Sequence, residues 1–239
     1  MAQEGIVLTE TQRQALEKQR QVQEAQGQLD TAHPGYLGCQ DTYYVGNFKA
    51  IGKVYGQVFI DSYTRVADTK LYEEKRAITS ADLLNDRVLP WYQEQGVPLL
   101  RILTDRGSEY KGKVAHHAYE LFLSVEGIAH STTKAYSPQS HGICERFNKT
   151  MQEEFFETAM RKQLYESLAA LQTDLARWLV YYNRERPHSG QYCYGQAPLE
   201  PFLASQELAL EKTKELAYLE GVSGSHPITD RKNAQLHCM

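Results

Sequence analysis

Three acidic residues stand where their carboxylates could act together. Asp41 lies in the first predicted strand, Asp105 ends the fourth, and Glu145 opens a long predicted helix. In an open α/β sheet the carboxyl ends of parallel strands and the starts of helices meet at one edge, so these side chains could converge. Three carboxylates without a histidine or cysteine cluster suit hard cations such as Mg²⁺ or Mn²⁺.

Two such ions about 3.5–4 Å apart could activate a water or hydroxyl and stabilise the leaving oxygen of a phosphodiester. The chain contains 30 Asp and Glu residues, however, so a trio is easily found. An aspartate at a strand end also forms turns, and a glutamate in the first turn of a helix also complements the helix dipole. From this chemistry alone, a metal site and a purely structural role both stay open.

The elements that must position these residues follow from the hydrophobic pattern. Strands are predicted at 39–46, 54–61, 65–73, 99–104 and 128–133. Helices are predicted at 80–95, 113–126, 143–160 and 164–183, with a loop at 137–142. Pro90 should kink or restart the first of these helices. The order predicts an α/β fold, with one mixed sheet of about five strands flanked by helices.

The flanking segments differ in character from this core. Residues 1–37 are predicted to be a linker helix, over 9–29, that ends at a turn. Residues 204–239 are predicted to hold a short helix, near 205–217, and a disordered polar tail. The predicted catalytic domain is therefore 38–203.

Composition limits the classes of function. With 26 Lys and Arg against 30 Asp and Glu the formal net charge is −4, which disfavours a protein that coats DNA by charge alone. It permits an enzyme in which metal ions supply local positive charge. The sequence has no apolar run of roughly 18 residues and no signal peptide, and its four cysteines are scattered. No membrane association and a reducing cytoplasm are therefore expected.

Three segments resemble a known family. They are TDRGSEY, YSPQSHGICERFNKTMQ and YYNRERPHSGQYCYGQAP, and they resemble the catalytic core of bacterial insertion-sequence transposases and retroviral integrases. The resemblance runs from about Gly38 to Phe202. It implies a ribonuclease H-like fold, metal-dependent DNA cleavage and strand transfer by a DDE triad with two Mg²⁺ (or Mn²⁺) ions, and homo-multimers that bind element ends and target DNA.

The triad carries over by position. Asp105 matches the Asp of the T-D-x-G-S motif and Glu145 the Glu of the G-x-x-E-R-F-N motif. Two aspartates compete for the first place. Asp41 is followed by Thr-Tyr-Tyr, as in the mid-strand D-x-T-Y pattern, whereas Asp61 precedes a turn. We therefore assign catalysis and metal binding to Asp41, and assign Asp61 to capping its hairpin turn.

The helix of Glu145 carries further candidates. Helical spacing places Asn148, Lys149 and Gln152 on the face of Glu145, where they are predicted to contact DNA, although a solvated face is the alternative. Lys134 and Arg146 are predicted to add local positive charge and to bind DNA as well. A second cluster, Arg184, Arg186 and His188, fits phosphate binding or a helix C-terminus equally.

Two departures from the family pattern are visible. The step from Asp105 to Glu145 is 40 residues, a few more than is usual, and a longer loop or helix is predicted between Tyr110 and Glu126. The family usually has a helix-turn-helix region ahead of the core, whereas only a linker helix is predicted here, so a truncated product is expected. The alternatives are a catalytically silent remnant that only binds DNA or an intact partner, and a structure-selective nuclease.

Overall fold

A computed structural model describes residues 31–133 and 138–219 of the chain. It contains one sheet with the strand order β3-β2-β1-β4-β5. The strands are β1 Gly38–Phe48, β2 Gly52–Asp61, β3 Ala67–Tyr72, β4 Arg101–Thr104 and β5 Ala129–Thr132. The first three strands pair antiparallel, and β4 lies parallel to both β1 and β5. The predicted mixed five-stranded sheet is confirmed.

Helices flank both faces of the sheet. They are α1 Ala77–Leu83, α2 Leu89–Glu94, α3 Ala118–Glu126, α4 Pro138–Met151, α5 Glu157–Lys162, α6 Leu168–Arg184, α7 Leu199–Ala204 and α8 Gln206–Leu219. Two π-helical turns, Leu84–Val88 and Gln152–Phe156, join α1 to α2 and α4 to α5. Pro90 lies in the first turn of α2, so the helix restarts there as predicted, because proline lacks the N–H that a continued helix would need.

Each face of the sheet has its own hydrophobic core. Cys39 and Leu103 point to the face covered by α4 and α6, where they pack with Phe147 and other buried residues. Ile102 and Phe59 point to the opposite face, which the helices α1 to α3 cover. This alternation is the two-residue period of a β-strand, and each fully buried large side chain contributes about 1.5–3 kcal/mol to folding.

Two helix starts differ from the prediction. The expected loop at 137–142 is wrong from Pro138 onward, because α4 already begins there; proline suits the first position of a helix. Glu145 consequently lies about two turns inside α4 instead of opening it, so the helix dipole does not explain its position.

The helix α3 begins at Ala118 instead of residue 113. A 3₁₀ turn, Val114–His116, precedes it, and the ring of His117 accepts a hydrogen bond from the backbone N–H of Glu120 at 3.4 Å. The segment between Tyr110 and α3 is therefore a loop that contains one short 3₁₀ turn.

The predicted linker helix at 9–29, Lys134 and the tail at 221–239 lie outside the described residues. The short helix expected near 205–217 corresponds to α8, and its Ala209 is fully buried beside Phe202. Across the two described ranges, no helix has both the length and the apolar character needed to cross a membrane.

Candidate active site

The pairing of β1 with β4 brings Asp41 and Asp105 side by side. The parallel register aligns Gly38 with Ile102 and Cys39 with Leu103. Continuing this register by two residues along both strands sets Asp41 opposite Asp105. Neighbouring strands are about 4.8 Å apart, so the two backbones are adjacent at the end of β4.

Both aspartates also belong to the same face of the sheet. Cys39 and Leu103 point into the core beneath α4, and side chains two residues further along a strand return to that face. Asp41 and Asp105 are each two residues beyond these anchors, and both are partly exposed. Asp41 is therefore presented towards α4, and Asp105 follows directly after the end of the neighbouring strand β4.

The helix α4 supplies the other wall of a groove at this point. Asp41 and Tyr43 of β1 line it, together with six helical residues that include the predicted face of Glu145: Glu145, Asn148 and Lys149 of α4, Gln152 and Glu153 of the π-helical turn, and Glu157 of α5. The Asn148 amide Nδ2 donates a hydrogen bond to Asp41 Oδ2 at 2.9 Å, and the Tyr43 hydroxyl donates to Gln152 Oε1. These contacts tie α4 to β1 and fix the orientation of the Asp41 carboxylate.

The three candidate carboxylates share this side of the molecule without forming one closed set. Asp105 is not among the residues that line the groove, and its Oδ1 accepts a hydrogen bond from the backbone N–H of Gly107 at 2.8 Å. Among the residues that the structure describes, no three His, Cys, Asp or Glu side chains are close enough to hold a metal ion together. The donor types, all carboxylate oxygens, nevertheless suit Mg²⁺ or Mn²⁺.

An ion pair between a partly exposed lysine and a buried carboxylate adjoins the aspartates, and no sequence motif predicted it. Lys75 Nζ lies 2.6 Å from Glu109 Oε1, and the side chain of Glu109 is only 1% exposed. Burial alone would lower the pKa of the Lys75 ammonium, but Glu109, Asp105 and Asp41 outweigh it and raise that pKa. Glu109 could have been singled out as the acid of TDRGSEY, whereas nothing in the sequence around Lys75 signals its role.

A buried network supports Asp41 from the opposite face of the sheet. The Tyr110 hydroxyl donates to Gln57 Oε1 at 3.0 Å and lies 2.9 Å from the hydroxyl of Thr42, the residue next to Asp41. Burial, with the charge of Asp41 as a lesser cause, raises the pKa of Tyr110 well above its ordinary value. The phenol therefore stays protonated, and it holds β1 rigidly at the site.

The competing aspartate is occupied elsewhere. Asp61 is fully buried, and its Oδ1 accepts hydrogen bonds from the backbone N–H groups of Tyr63 and Thr64 and from the Thr64 hydroxyl. Its Oδ2 accepts from the Gly35 N–H and the Tyr92 hydroxyl, both at 2.9 Å. The predicted capping of the hairpin turn by Asp61 is confirmed.

The remaining candidates fall in different places. Arg146 points away from the groove into a second pocket, which also contains Arg186 and His188. Cys144, beside Glu145, is buried, and its contact with Cys39 together with burial raises its pKa well above the ordinary value. Cys144 is therefore a packing residue of the core.

Comparisons with known proteins show similarity to integrases. Residues 126–191 match the family described as Integrase core domain. The "Putative integrase ORF3" of Spiroplasma virus SpV1-C74 is 28% identical over 180 residues, which cover 72% of this chain and 49% of that protein. The uncharacterized protein K02A2.6 of Caenorhabditis elegans is 27% identical over 143 residues, which cover 60% of this chain and 10% of that protein. The chain thus spans about half or less of these relatives.

Solved structures show the same fold. The HTLV-2 integrase catalytic core domain in complex with magnesium superposes with a TM-score of 0.53 at 17% identity, covering 72% of this chain and 99% of that one. A chain of the simian T-cell lymphotropic virus intasome superposes with a TM-score of 0.55 at 17% identity, and the match covers 72% of this chain and 55% of that one. The ribonuclease H-like fold of integrase catalytic cores is thereby confirmed, and the predicted resemblance holds at this level.

Proposed function

We propose that this chain is the catalytic core of an integrase or transposase, which cuts DNA and joins it to a target, with Asp41, Asp105 and Glu145 as its catalytic carboxylates. The observation that carries the proposal is the parallel pairing of β1 with β4, at whose ends Asp41 and Asp105 are both near enough to raise the pKa of the Lys75 ammonium. Similarity to integrase cores in sequence and fold supports it. We assign the catalytic domain to residues 38–203, and we favour the bacterial insertion-sequence type on its motifs.

The same three carboxylates would hold two Mg²⁺ or Mn²⁺ ions. Bound there, the ions would lower the pKa of a water or a 3′-hydroxyl and stabilise the leaving oxygen. The protein orients the carboxylate ligands through hydrogen bonds. The Asn148 amide donates to one oxygen of Asp41, and the Gly107 N–H donates to one oxygen of Asp105. The Lys75 ammonium balances negative charge beside both aspartates.

DNA would lie along the groove between β1 and α4. Lys149 is exposed on its wall and suits a phosphate contact, and Asn148 and Gln152 offer amides beside it. Arg146 would add positive charge on the other face of α4. Lys134, which lies outside the described residues, is assigned to DNA binding on its sequence alone. Several copies of the chain would assemble on the element ends and the target; the HTLV-2 integrase catalytic core domain, which has the same fold, was solved in a trimeric form.

A strand-transfer assay with pre-cut element ends and Mg²⁺ or Mn²⁺ tests the proposal. We expect joining by the wild type and a loss of about 10²–10³-fold in Asp105→Asn and in Glu145→Gln, because each change weakens a metal ligand worth several kcal/mol in the transition state. Glu94→Gln, an exposed change on α2, is the matched control and should join normally.

The alternative function has a distinct outcome. If the folded wild type binds the correct ends in EDTA but joins nothing with either cation, the chain is a DNA-binding protein without catalysis. Equal joining by wild type and both carboxylate variants would contradict the assignment of the triad.

A further inference from the structure

A second pocket lies on the opposite side of α4 from the carboxylates. It is a cavity of about 210 Å³ between the turn after β2, the outer face of α4 and the segment that follows α6. Arg65, Arg146, Arg186 and His188 all line it, and its lining includes no carboxylate. Four nitrogen-bearing side chains from three parts of the chain therefore surround one small cavity.

The charges in this pocket are concentrated enough to affect one another. Burial, followed by the positive charges of Arg65, Arg186 and Arg146, lowers the pKa of His188 to about 4. His188 is consequently neutral at pH 7, and its Nδ1 accepts a hydrogen bond from the Gly190 N–H at 2.9 Å. That bond leaves the ring proton on Nε2, so the histidine is a donor there.

Two of the three arginines of the pocket are held in place before any ligand arrives, and the charge of one of them, Arg186, is balanced by Glu154, so Arg65 and Arg146 supply the unbalanced positive charge. Arg186 makes a bidentate pair with Glu154, with Nε at 2.8 Å and Nη2 at 2.6 Å from the carboxylate oxygens. Arg65 donates from Nη1 to the carbonyl of Ser62. Preorganised guanidinium groups lose little side-chain entropy when they bind an anion.

The two loops that carry these residues are also joined to each other. The rings of Tyr63 and Tyr192 stack with centroids 4.1 Å apart, and the Cys193 thiol donates to the carbonyl of Thr64 at 3.2 Å. The turn after β2 and the segment after α6 thus form one unit. The pocket is therefore a structured feature of the fold and more than a set of exposed basic side chains.

We propose that this pocket binds a phosphate group of the DNA backbone. Guanidinium groups match the geometry of phosphate oxygens, and the neutral His188 adds a donor without needing to be charged. Arg146 follows Glu145 in sequence, so a strand crossing α4 would pass from the catalytic groove to this pocket. The identity of the ligand as DNA rests on the proposed function, whereas the affinity for phosphate does not.

Inorganic phosphate is the first probe. In thermal unfolding, phosphate should raise the Tm of the wild type relative to chloride at equal ionic strength. Arg146→Ala and Arg65→Gln should each weaken phosphate binding about 10-fold, because each removes a charge-assisted contact. Arg177→Ala, which removes an exposed arginine on α6, is the matched control and should bind phosphate normally.

DNA binding in EDTA is the second measurement. In Arg146→Ala we expect the slope of log binding constant against log salt concentration to decrease by the equivalent of about one phosphate contact. The slope for Arg177→Ala should equal that of the wild type. Unaltered phosphate binding in both pocket variants would overturn the proposal, and so would phosphate binding that is lost without any change in the salt dependence. Asp105→Asn should keep the wild-type salt dependence, so loss of joining in that variant tests the active site and leaves this pocket unaffected.

Discussion

Lys75 Nζ lies 2.6 Å from Glu109 Oε1 and is the charged partner of a carboxylate that is almost completely buried. The backbone of Gly107 packs closely on that carboxylate, since a Cβ at residue 107 would lie 2.4 Å from Glu109 Oε2. Because Asp41 and Asp105 are also near, the ammonium balances a site that would otherwise be strongly negative. The ion pair therefore serves the stability of the fold and the electrostatics of the catalytic edge together.

Removing only the charge of Lys75 should lower the free energy of unfolding more than removing the charges of both Lys75 and Glu109. Lys75→Met should lower the free energy of unfolding by about 1–3 kcal/mol, because the buried Glu109 carboxylate loses its partner. Adding Glu109→Gln to that variant should restore most of the loss. Urea unfolding of the wild type, both single variants and the double variant measures the coupling, and additive effects would show that the pair contributes nothing of its own.

The two aspartates of the first hairpin should respond oppositely to substitution. Asp61→Asn should lower the free energy of unfolding by about 3 kcal/mol, because its carboxylate accepts five hydrogen bonds in the core. Asp41→Asn should change stability little and abolish joining. Urea unfolding and strand transfer, normalised to folded protein, separate the two effects, and the reverse pattern would transfer the catalytic role to Asp61.

Asn148 is expected to act through Asp41. Asn148→Ala removes the 2.9 Å hydrogen bond to Asp41 Oδ2, and a bond to a charged group contributes about 1.5–3 kcal/mol. We expect joining to fall about 10-fold at limiting Mn²⁺ and to recover in part at high Mn²⁺, because a poorly aimed ligand weakens cation binding. Thr158→Ala, an exposed change on the following helix α5, is the control; a Mn²⁺ titration with the wild-type midpoint in Asn148→Ala would argue against a positioning role.

The lowered pKa of His188 gives stability a specific pH dependence. Its folded pKa of about 4 lies below the ordinary value of 6.5, so between these pH values the unfolded chain binds more protons. Stability from this residue is therefore complete above about pH 6.5 and is lost as the pH falls towards 4. The loss should be about 1–2 kcal/mol, allowing for partial solvent access.

Comparison with His188→Gln isolates this contribution from that of the carboxylates. The difference in unfolding free energy between wild type and variant should be larger at pH 7 than at pH 4.5. A difference that stays constant over this range would show that His188 titrates at an ordinary pKa.

Much of the fold could be predicted because its elements carry strong local patterns. The enrichment of β1 and β2 in Val, Ile, Tyr and Phe and the apolar run before Asp105 predicted the strands, and the apolar stripe from Leu168 to Tyr182 predicted α6. The start of α4 was missed because Pro138 and Gly142 are turn residues in most contexts, and here the packing of the helix on the sheet outweighs their local preference.

The partners around the site were harder to foresee than the site itself. Asp41 and Asp105 stand in motifs, but Lys75 follows a strand with no distinguishing pattern and meets Glu109 only through the tertiary fold. Only part of the arginine pocket could be predicted, because the sequence indicated Arg186 and His188 as phosphate-binding candidates but not Arg65. Contacts between residues distant in sequence depend on how the sheet closes, and local periodicity does not contain that information.

The π-helical turn Gln152–Phe156 has a consequence for how this chain can change in length. A π turn accommodates one residue more than a regular helix over the same rise, which keeps α4 and α5 in phase and lets the consecutive Phe155 and Phe156 both be buried. Deleting one residue inside the turn would leave a regular helix with both flanks still facing the sheet. The same deletion between Glu145 and Met151 would rotate Glu145 about 100° relative to that core. Among related sequences, single-residue deletions in the continuous helical segment from α4 to α5 should therefore be found at the π-helical turn and be rare in the part of α4 that precedes it.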